Sequence, residues 1–498
     1  MHGTLFLILR RMRAPLIFLI VSYAISIFGM TLIPGVDAQG KPAPAMDFFH
    51  AFYFISYTAT TIGFGEIPTA FSDGQRAWSI VCIYLTVIVW LYSIGAILGL
   101  LQDPALQRAI RANRFGVKVK RLRQPFHLIV GCGETGTLLI HTLDSHSQQA
   151  VVLDIDADRV GELELGQYHL DIPALAADAS LPENLIAAGL HHRQCAGVIT
   201  LTNDDRANLS VAVTTKLLRP DLPILCRADS LDTASNMASF GIDEVVNAFE
   251  VFGQHLAMAV KKPGHHLLYE WLTGVPGETL AEPMEPPRGK WIVCGYGRFG
   301  QAVTRHMDRE DIDLVVVDDN PASISEQRHI IGRATEANIL VEAGIEQAVG
   351  IVAGTNDDVS NLAIAMTARQ LNPKLFIVLR QNRHANEALF QRFHANATMQ
   401  PSRIVAHEFL SLLTTPLLSR FFNLAHGRDD AWSDVLLSRI AAVVGDSVPD
   451  VWDVELTRNR TPAVWQHSQN GAPLVLGDLL RDPANRQDNL ACIPLLLV

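Results

Sequence analysis

Two kinds of glycine-rich sequence in this chain could do chemistry with their backbone. The first is Thr60-Thr61-Ile62-Gly63-Phe64-Gly65-Glu66. Glycine adopts backbone angles forbidden to other residues, so two close glycines let successive carbonyls point the same way. A row of carbonyls along a narrow path can replace the water around a monovalent cation. The second kind occurs twice, as Gly131-Cys-Gly133-Glu-Thr-Gly136 and Gly295-Tyr-Gly297-Arg298-Phe-Gly300. Each follows an apolar run and opens a helical pattern. Each also has an acid, Asp154 or Asp318, 23 residues past its first glycine. That spacing suits a nucleotide such as NAD: the glycines admit the phosphates, the helix start favours negative charge, and the acid bonds ribose hydroxyls. Glycines that serve only helix–strand packing are the alternative.

The first motif needs a membrane around it. Residues 14–33 are 20 without a charge and 77–101 are 25, each enough for the roughly 30 Å hydrocarbon core. Arg10, Arg11 and Arg13 precede the first span, and seven basic residues from Arg108 to Arg123 follow the second. By the positive-inside rule both flanks, and so both termini, are expected on the cytoplasmic side of the cell's inner (plasma) membrane. A cleaved signal peptide ending near Val36-Asp37-Ala38 competes, but its apolar core would exceed the usual length and a second span follows. Phe48–Thr60, uncharged and too short to span, suits a re-entrant helix that delivers the chain into the Gly63–Gly65 segment. Non-helical backbone at that depth is tolerated only when buried in protein or lining a water-filled path.

The glycine loops belong to a duplication. His127–Gly136 aligns with Trp291–Gly300 at an offset of 164, and Thr202-Asn-Asp-Asp205 aligns with Thr355-Asn-Asp-Asp358 at 153. Each copy alternates short apolar runs (Leu128–Val130, Ala150–Leu153, Gly197–Leu201, Ile224–Cys226 in the first) with helical patterns, which predicts a doubly wound parallel sheet. The copies differ where the third strand should end, at Asp178 in one and Arg333 in the other, so their pockets are expected to differ in ligand or occupancy. Four prolines between Pro276 and Pro287 mark an extended linker.

Charge follows the same divisions. Of a net charge of -11, residues 1–101 hold +1 and 102–124 hold +6, leaving -18 for the rest. This excludes a uniform soluble enzyme, and an acidic body argues against nucleic acid as a partner. The six cysteines show no paired spacing, so no disulfide framework or zinc site is indicated.

The segment Thr60–Glu66 resembles the potassium-channel signature TVGYG(D/E), with Phe64 in place of Tyr and Glu66 in place of the commoner Asp. Residues 14–101 resemble its two-transmembrane pore module. The duplicated body is similar to tandem RCK (TrkA-N-type) domains, and the whole chain to prokaryotic two-transmembrane potassium channels of the GsuK type. The resemblance implies a homotetramer in membrane lipid with a selectivity filter of Thr61, Ile62, Gly63, Phe64 and Gly65, its K+ sites at the carbonyls of the first four and the Thr61 hydroxyl at the inner end. It implies nucleotide contacts at Gly131, Gly133, Gly136, Asp154 and Asp178, and at Gly295, Gly297, Arg298, Gly300 and Asp318. Arg227 and Arg380 could also approach phosphates. Family ligands include NAD, adenine nucleotides and calcium; the sequence locates no calcium site. The expected order is a pore module over 1–101 (spans 14–33 and 77–101, pore helix 48–60, filter 61–65) and a basic linker over 102–124. A first RCK domain over 125–275, a Pro-rich linker over 276–289, a second RCK domain over 290–425 and a C-terminal lobe over 426–498 follow. In fold class this is an α-helical pore module plus two Rossmann-like α/β domains and a small α+β lobe. The resemblance also implies that Phe249–Val260, His265–Thr273 and Pro401–Leu424 are helices crossing between RCK domains; core helices are the generic alternative.

Other signals are weaker. Asp154-x-Asp156-x-Asp158 opens like a calcium loop, but Arg159 and Leu165 stand where an EF-hand needs Gly and Glu. The pairs His191-His192 and His265-His266 read as surface residues. Gly95 and Gly99 are candidate gating hinges in the second span. A membrane-anchored nucleotide-dependent oxidoreductase is the rival function, and no Tyr-x-x-x-Lys or nucleophile signature supports it.

Overall fold

A computed structural model describes residues 2–37, 41–65, 70–274, 279, 284–320, 329–454, 456–458, 461–469, 475, 477, 480–481, 490 and 492–496. Glu66, Pro276 and Pro283 lie outside the described residues. The chain divides into two units, Met1–Arg121 and Leu122–Val498.

In the first unit the apolar runs fold as α1 (His2–Leu32) and α3 (Asp73–Leu101), with α2 (Phe48–Ala59) between them and α4 (Pro104–Arg121) after. Two short antiparallel strands, β1 (Pro34–Val36) and β2 (Pro42–Ala45), follow α1. Among the described residues the stretches long and apolar enough to cross a membrane are Met12–Leu32 and Asp73–Leu101. The second begins before residue 77 because Ser72 and Gln75 form a reciprocal capping box that starts the helix ahead of its apolar run. Asp47 caps α2 by accepting from His50 N at 2.8 Å. Helices α1 and α3 are tied by Trp78 Nε1 donating to Ser26 O (3.1 Å) and Gln75 Nε2 donating to Ile33 O (3.0 Å). Met30, Ala51, Phe54, Ile55 and Cys82 form the core between these helices.

The second unit contains the duplication. Copy one has β3 (Phe126–Val130), α5 (Glu134–Ser145), β4 (Gln149–Asp154), α6 (Ala157–Leu165), β5 (Ala174–Ala176), α7 (Pro182–Ala187), β6 (Cys195–Thr200), α8 (Asp205–Leu218), β7 (Ile224–Arg227), α9 (Leu231–Ser239) and β8 (Glu244–Val246). Helices α10 (Ala248–Lys261) and α11 (Pro263–Thr273) follow. Copy two has β9 (Trp291–Cys294), α12 (Arg298–Arg309), β10 (Leu314–Asp318), β11 (His329–Ile331), α13 (Ala337–Glu342), β12 (Gly350–Ala353), α14 (Asp358–Leu371), β13 (Phe376–Arg380), α15 (Glu387–Phe393) and β14 (Ala397–Met399), then α16 (Pro401–Thr414) and α17 (Pro416–Ala425). The sheets run β5-β4-β3-β6-β7-β8 and β11-β10-β9-β12-β13-β14, parallel throughout. Both have a switch point between the central strand and its outward neighbour, where ligands of open α/β sheets bind.

The copies exchange helices. Copy one's α10 packs on α12 of copy two, and copy two's α16 packs on α5 of copy one. Glu250 on α10 accepts from Arg305 at 2.5 Å and bonds His306 at 3.0 Å, both on α12. One apolar core runs through both copies, from Ile129 and Leu139 through Phe249 and Leu256 to Phe299, Val303 and Phe409. The crossing read from Phe249–Val260 and Pro401–Leu424 therefore occurs within one chain.

After α17 the described elements are α18 (Asp430–Val444) and α19 (Pro462–Gln469), with an isolated bridge between Ser447 and Thr279. The reading of His265-His266 as surface residues is corrected here, because both are buried. His265 Nδ1 lies 2.9 Å from Ser433 Oγ on α18, and its Nε2 lies 3.1 Å from Ala425 O. A pair of histidines looks hydrophilic in sequence, but α11 is sandwiched between α10 and α18 and buries both.

Candidate functional site

The carbonyl row is set up by its backbone angles. Thr61, Gly63 and Gly65 have φ of 64°, 66° and 75°, whereas Ile62 and Phe64 between them do not enter the left-handed region. Alternation of this kind turns successive peptide planes so that their carbonyls face one side. The amides face the other: Ile62 N and Gly63 N both donate to Tyr57 O, at 3.0 and 3.2 Å, and Thr61 N donates to Thr58 O at 3.1 Å. Among the described residues nothing donates to the carbonyls of Thr61, Ile62, Gly63 or Phe64. Phe64 lies edge-on to Tyr57, centroids 6.2 Å apart, and Tyr57 is edge-on to Tyr53 and Phe54. The α2 helix thus anchors the segment by one carbonyl and an aromatic ring cluster. Gly95 and Gly99 sit within the continuous helix α3, and a Cβ on either would meet nothing within 4 Å.

The two glycine loops are near copies. Gly131 and Gly295 have φ of 102° and 93°. A Cβ on Gly136 or Gly300 would fall 2.0 or 1.9 Å from the carbonyl of Gly131 or Gly295, so only glycine lets the helix start that close to the strand end. Gly133 and Gly297 stand at the N-cap positions of α5 and α12 and offer no side chain to cap them. The first amides of each helix are therefore donors suited to a phosphate. Asp154 Oδ2 accepts from Cys132 N (2.6 Å) and Oδ1 from Asp156 N (2.8 Å); Asp318 repeats this with Tyr296 N (2.5 Å) and Asn320 N (2.9 Å). Both carboxylates are fixed at the loop, at the place where an acid of such a fold meets ribose hydroxyls. Burial, with Asp154 beside it, pushes the Cys132 thiol up to about 12, so it stays a neutral packing group. The residues present fit a nucleotide.

Sequence reading missed Asn208 and Asn361. Each bonds the Thr of the Thr-Asn-Asp-Asp motif and the carbonyl of the strand-end arginine: Asn208 with Thr202 (2.7 Å) and Arg227 O (3.0 Å), Asn361 with Thr355 (2.6 Å) and Arg380 O (2.8 Å). Their shared offset of 153 was the available signal. Arg227 pairs with Asp229 at 3.0 Å, whereas Arg380 stacks over Phe249 and Phe299. Asp178 accepts from Ser180 N, closing a turn after β5, and Arg333 is exposed at the matching point after β11. Asp156 caps α6 by accepting from Asp158 N, so its carboxylate serves local structure. No cluster of three or more metal-binding side chains occurs among the described residues.

Residues 16–103 match the ion channel family, and residues 127–248 and 291–401 match the TrkA-N domain. The chain thus joins an ion-channel pore module to two TrkA-N domains. It is 24% identical over 241 residues to probable potassium channel protein 2 of Methanocaldococcus jannaschii, covering 48% of this chain and 68% of that one. With potassium channel protein 1 of the same organism it shares 26% over 140 residues, which is 27% of this chain and 42% of that protein. The chain therefore spans well under two thirds of that relative's length. In fold it is similar to the GsuK channel, at 21% identity and a TM-score of 0.50 over 82% of this chain and 98% of that one. The same channel bound to NAD matches at 18% identity and a TM-score of 0.50, over 85% and 86%.

Proposed function

We propose that this chain is the subunit of a homotetrameric potassium channel, no enzyme, whose opening is governed by nucleotide binding to its two RCK domains. The observation that carries the reading is the alternation of backbone angle at Thr61, Gly63 and Gly65, with the amides held on Tyr57 and the carbonyls free. Four such segments around an axis would present rings of oxygen to dehydrated K+, the Thr61 hydroxyl forming the inner ring. Phe18, Phe28, Ile88 and Leu91 are exposed on α1 and α3, as faces meeting lipid or sister subunits require. Both membrane flanks lie on the cytoplasmic side, as the basic residues beside the spans indicate.

The glycine loops with their fixed aspartates make the duplicated body a receptor for NAD or an adenine nucleotide, and the NAD-bound form of the similar GsuK channel supports that choice. Calcium, which the family resemblance also implies, finds no cluster of three or more ligating side chains among the described residues, so it is given no site. Shifting a gate from 1:99 to 99:1 takes about 5.5 kcal/mol of differential binding. Shared by four chains this is about 1.4 kcal/mol each, within reach of one nucleotide per chain. Gly95 and Gly99, where a Cβ would meet nothing within 4 Å, are the points at which α3 would bend on gating.

The test is ion flux from protein reconstituted in vesicles, with K+ against Na+, with and without NAD, ADP and calcium. Potassium-selective flux that responds to a nucleotide is expected. Absence of K+ flux under every ligand condition would overturn the reading.

A further inference from the structure

The two glycine loops share a backbone and differ in charge. The residue after Gly133, first in α5, is Glu134; its counterpart, first in α12, is Arg298. The Glu134 carboxylate is held by copy two: Oε1 accepts from His384 N at 3.2 Å and Oε2 from Ser402 Oγ at 3.1 Å. An uncapped helix start attracts an anion, and copy one already supplies its own. Like charge at that point opposes a phosphate.

The cations beside the loops differ in the same sense. In copy one Arg227 is neutralised by Asp229 at 3.0 and 3.3 Å and touches Thr135 Oγ1 at 3.3 Å; Arg159, whose guanidinium borders Gly133, is paired with Asp156 at 3.5 Å. In copy two Arg298, Arg333 and Arg380 form no ion pair among the described residues. Arg380 is only 7% exposed, and its Nε has no hydrogen-bond partner. Its other end donates to Asn356 Oδ1 (2.9 Å) and Gly354 O (3.4 Å), at the strand end that borders Gly295. The guanidinium lies over Phe299, the second residue of α12, at 5.4 Å, and over Phe249 at 4.8 Å. Burial and the nearby Arg298 pull its pKa down to about 10. The carboxylates of Asp229 and Asp358, beyond ion-pair distance, act on it in the other direction, and two aromatic faces compensate part of that burial; a buried cation with no bonded counter-ion leaves the rest to a ligand.

We propose that the second glycine loop is the chain's receptor for the diphosphate of an adenine nucleotide, through Arg298 and Arg380, while Glu134 closes the first loop to phosphate. The inference rests on the nucleotide reading above and adds which copy binds and why. The Glu134 contacts also make the first loop's state depend on how copy two sits against it.

Calorimetric titration of the full-length protein in detergent with ADP tests this. One ADP per chain is expected. Arg298→Glu, or Arg298→Gln should the first fold poorly, weakens that binding about tenfold or more, the loss of a charge-assisted bond to phosphate. Its melting curve without nucleotide stays unchanged. Glu134→Gln adds a second equivalent. Two equal sites in the unaltered protein, one site indifferent to Arg298→Glu, or no second equivalent in Glu134→Gln would each overturn the proposal while leaving nucleotide regulation standing. No ADP binding at all would remove both.

Discussion

Thr61 holds a backbone angle that β-branched residues rarely adopt, and it does so because Tyr57 O anchors the two amides that follow. For an L-residue the left-handed region costs roughly 1–2 kcal/mol, so Gly63 and Gly65 lower the strain of the remaining turns. Gly63→Ala should therefore leave the subunits folded and assembled while abolishing discrimination of K+ from Na+, measured as the flux ratio in vesicles. An unchanged ratio would mean that these carbonyls do not line the path. This part of the site was legible in the sequence because the requirement is local: two glycines, a threonine and a short apolar helix before them. The contrast between Glu134 and Arg298 was equally visible at the 164-residue offset. Its meaning was not, since it depends on His384 and Ser402, which lie about 250 residues further along.

Among the elements, α10, α11, α12 and α16 bring titratable groups together away from water. The His255 ring on α10 packs tilted against Tyr269 of α11, centroids 4.1 Å apart, and lies 6.2 Å from His266. Burial pushes His255 down to about 3 and His266 to about 4, and it lowers His407 on α16 and His306 on α12 as well. In the folded protein these histidines take up protons at lower pH than in the unfolded chain, where they titrate near pH 6.5. Their contribution is complete above pH 6.5 and is lost as pH falls from there toward 4, at up to about 1.4 kcal/mol per unit for each group. Glu408 on α16, which accepts from Tyr269 and is raised by burial, acts in the opposite direction above its unfolded value. Thermal melts between pH 7 and 5 should show stability falling with pH, and His255→Phe should flatten that slope. An identical slope would place the titration elsewhere. The helices themselves were legible from periodicity. The burial of His265 and His266 was not, because it depends on α18 arriving from far along the chain.

For the molecule as a whole, the exchange of α10 and α16 makes the two copies of the duplication one folding body. A protease site engineered into residues 276–283 and cut in the assembled protein should leave both pieces together in size-exclusion chromatography, separating only in denaturant. Pieces that part without denaturant would show that the shared core is not what holds them. The duplication was readable from the offsets, and so was the uneven charge of its parts. That the copies complete each other's cores follows only from contacts between residues such as Phe249 and Phe299, whose centroids are 5.9 Å apart. The exchange also has a consequence in time. On the ribosome, α5 ends at residue 145 and α16, which covers it, begins at 401, a gap of 256 residues. At about 5–20 residues per second, the first phosphate helix waits on the order of 13 to 50 seconds for its partner, so the nascent first copy spends that interval with one face uncovered.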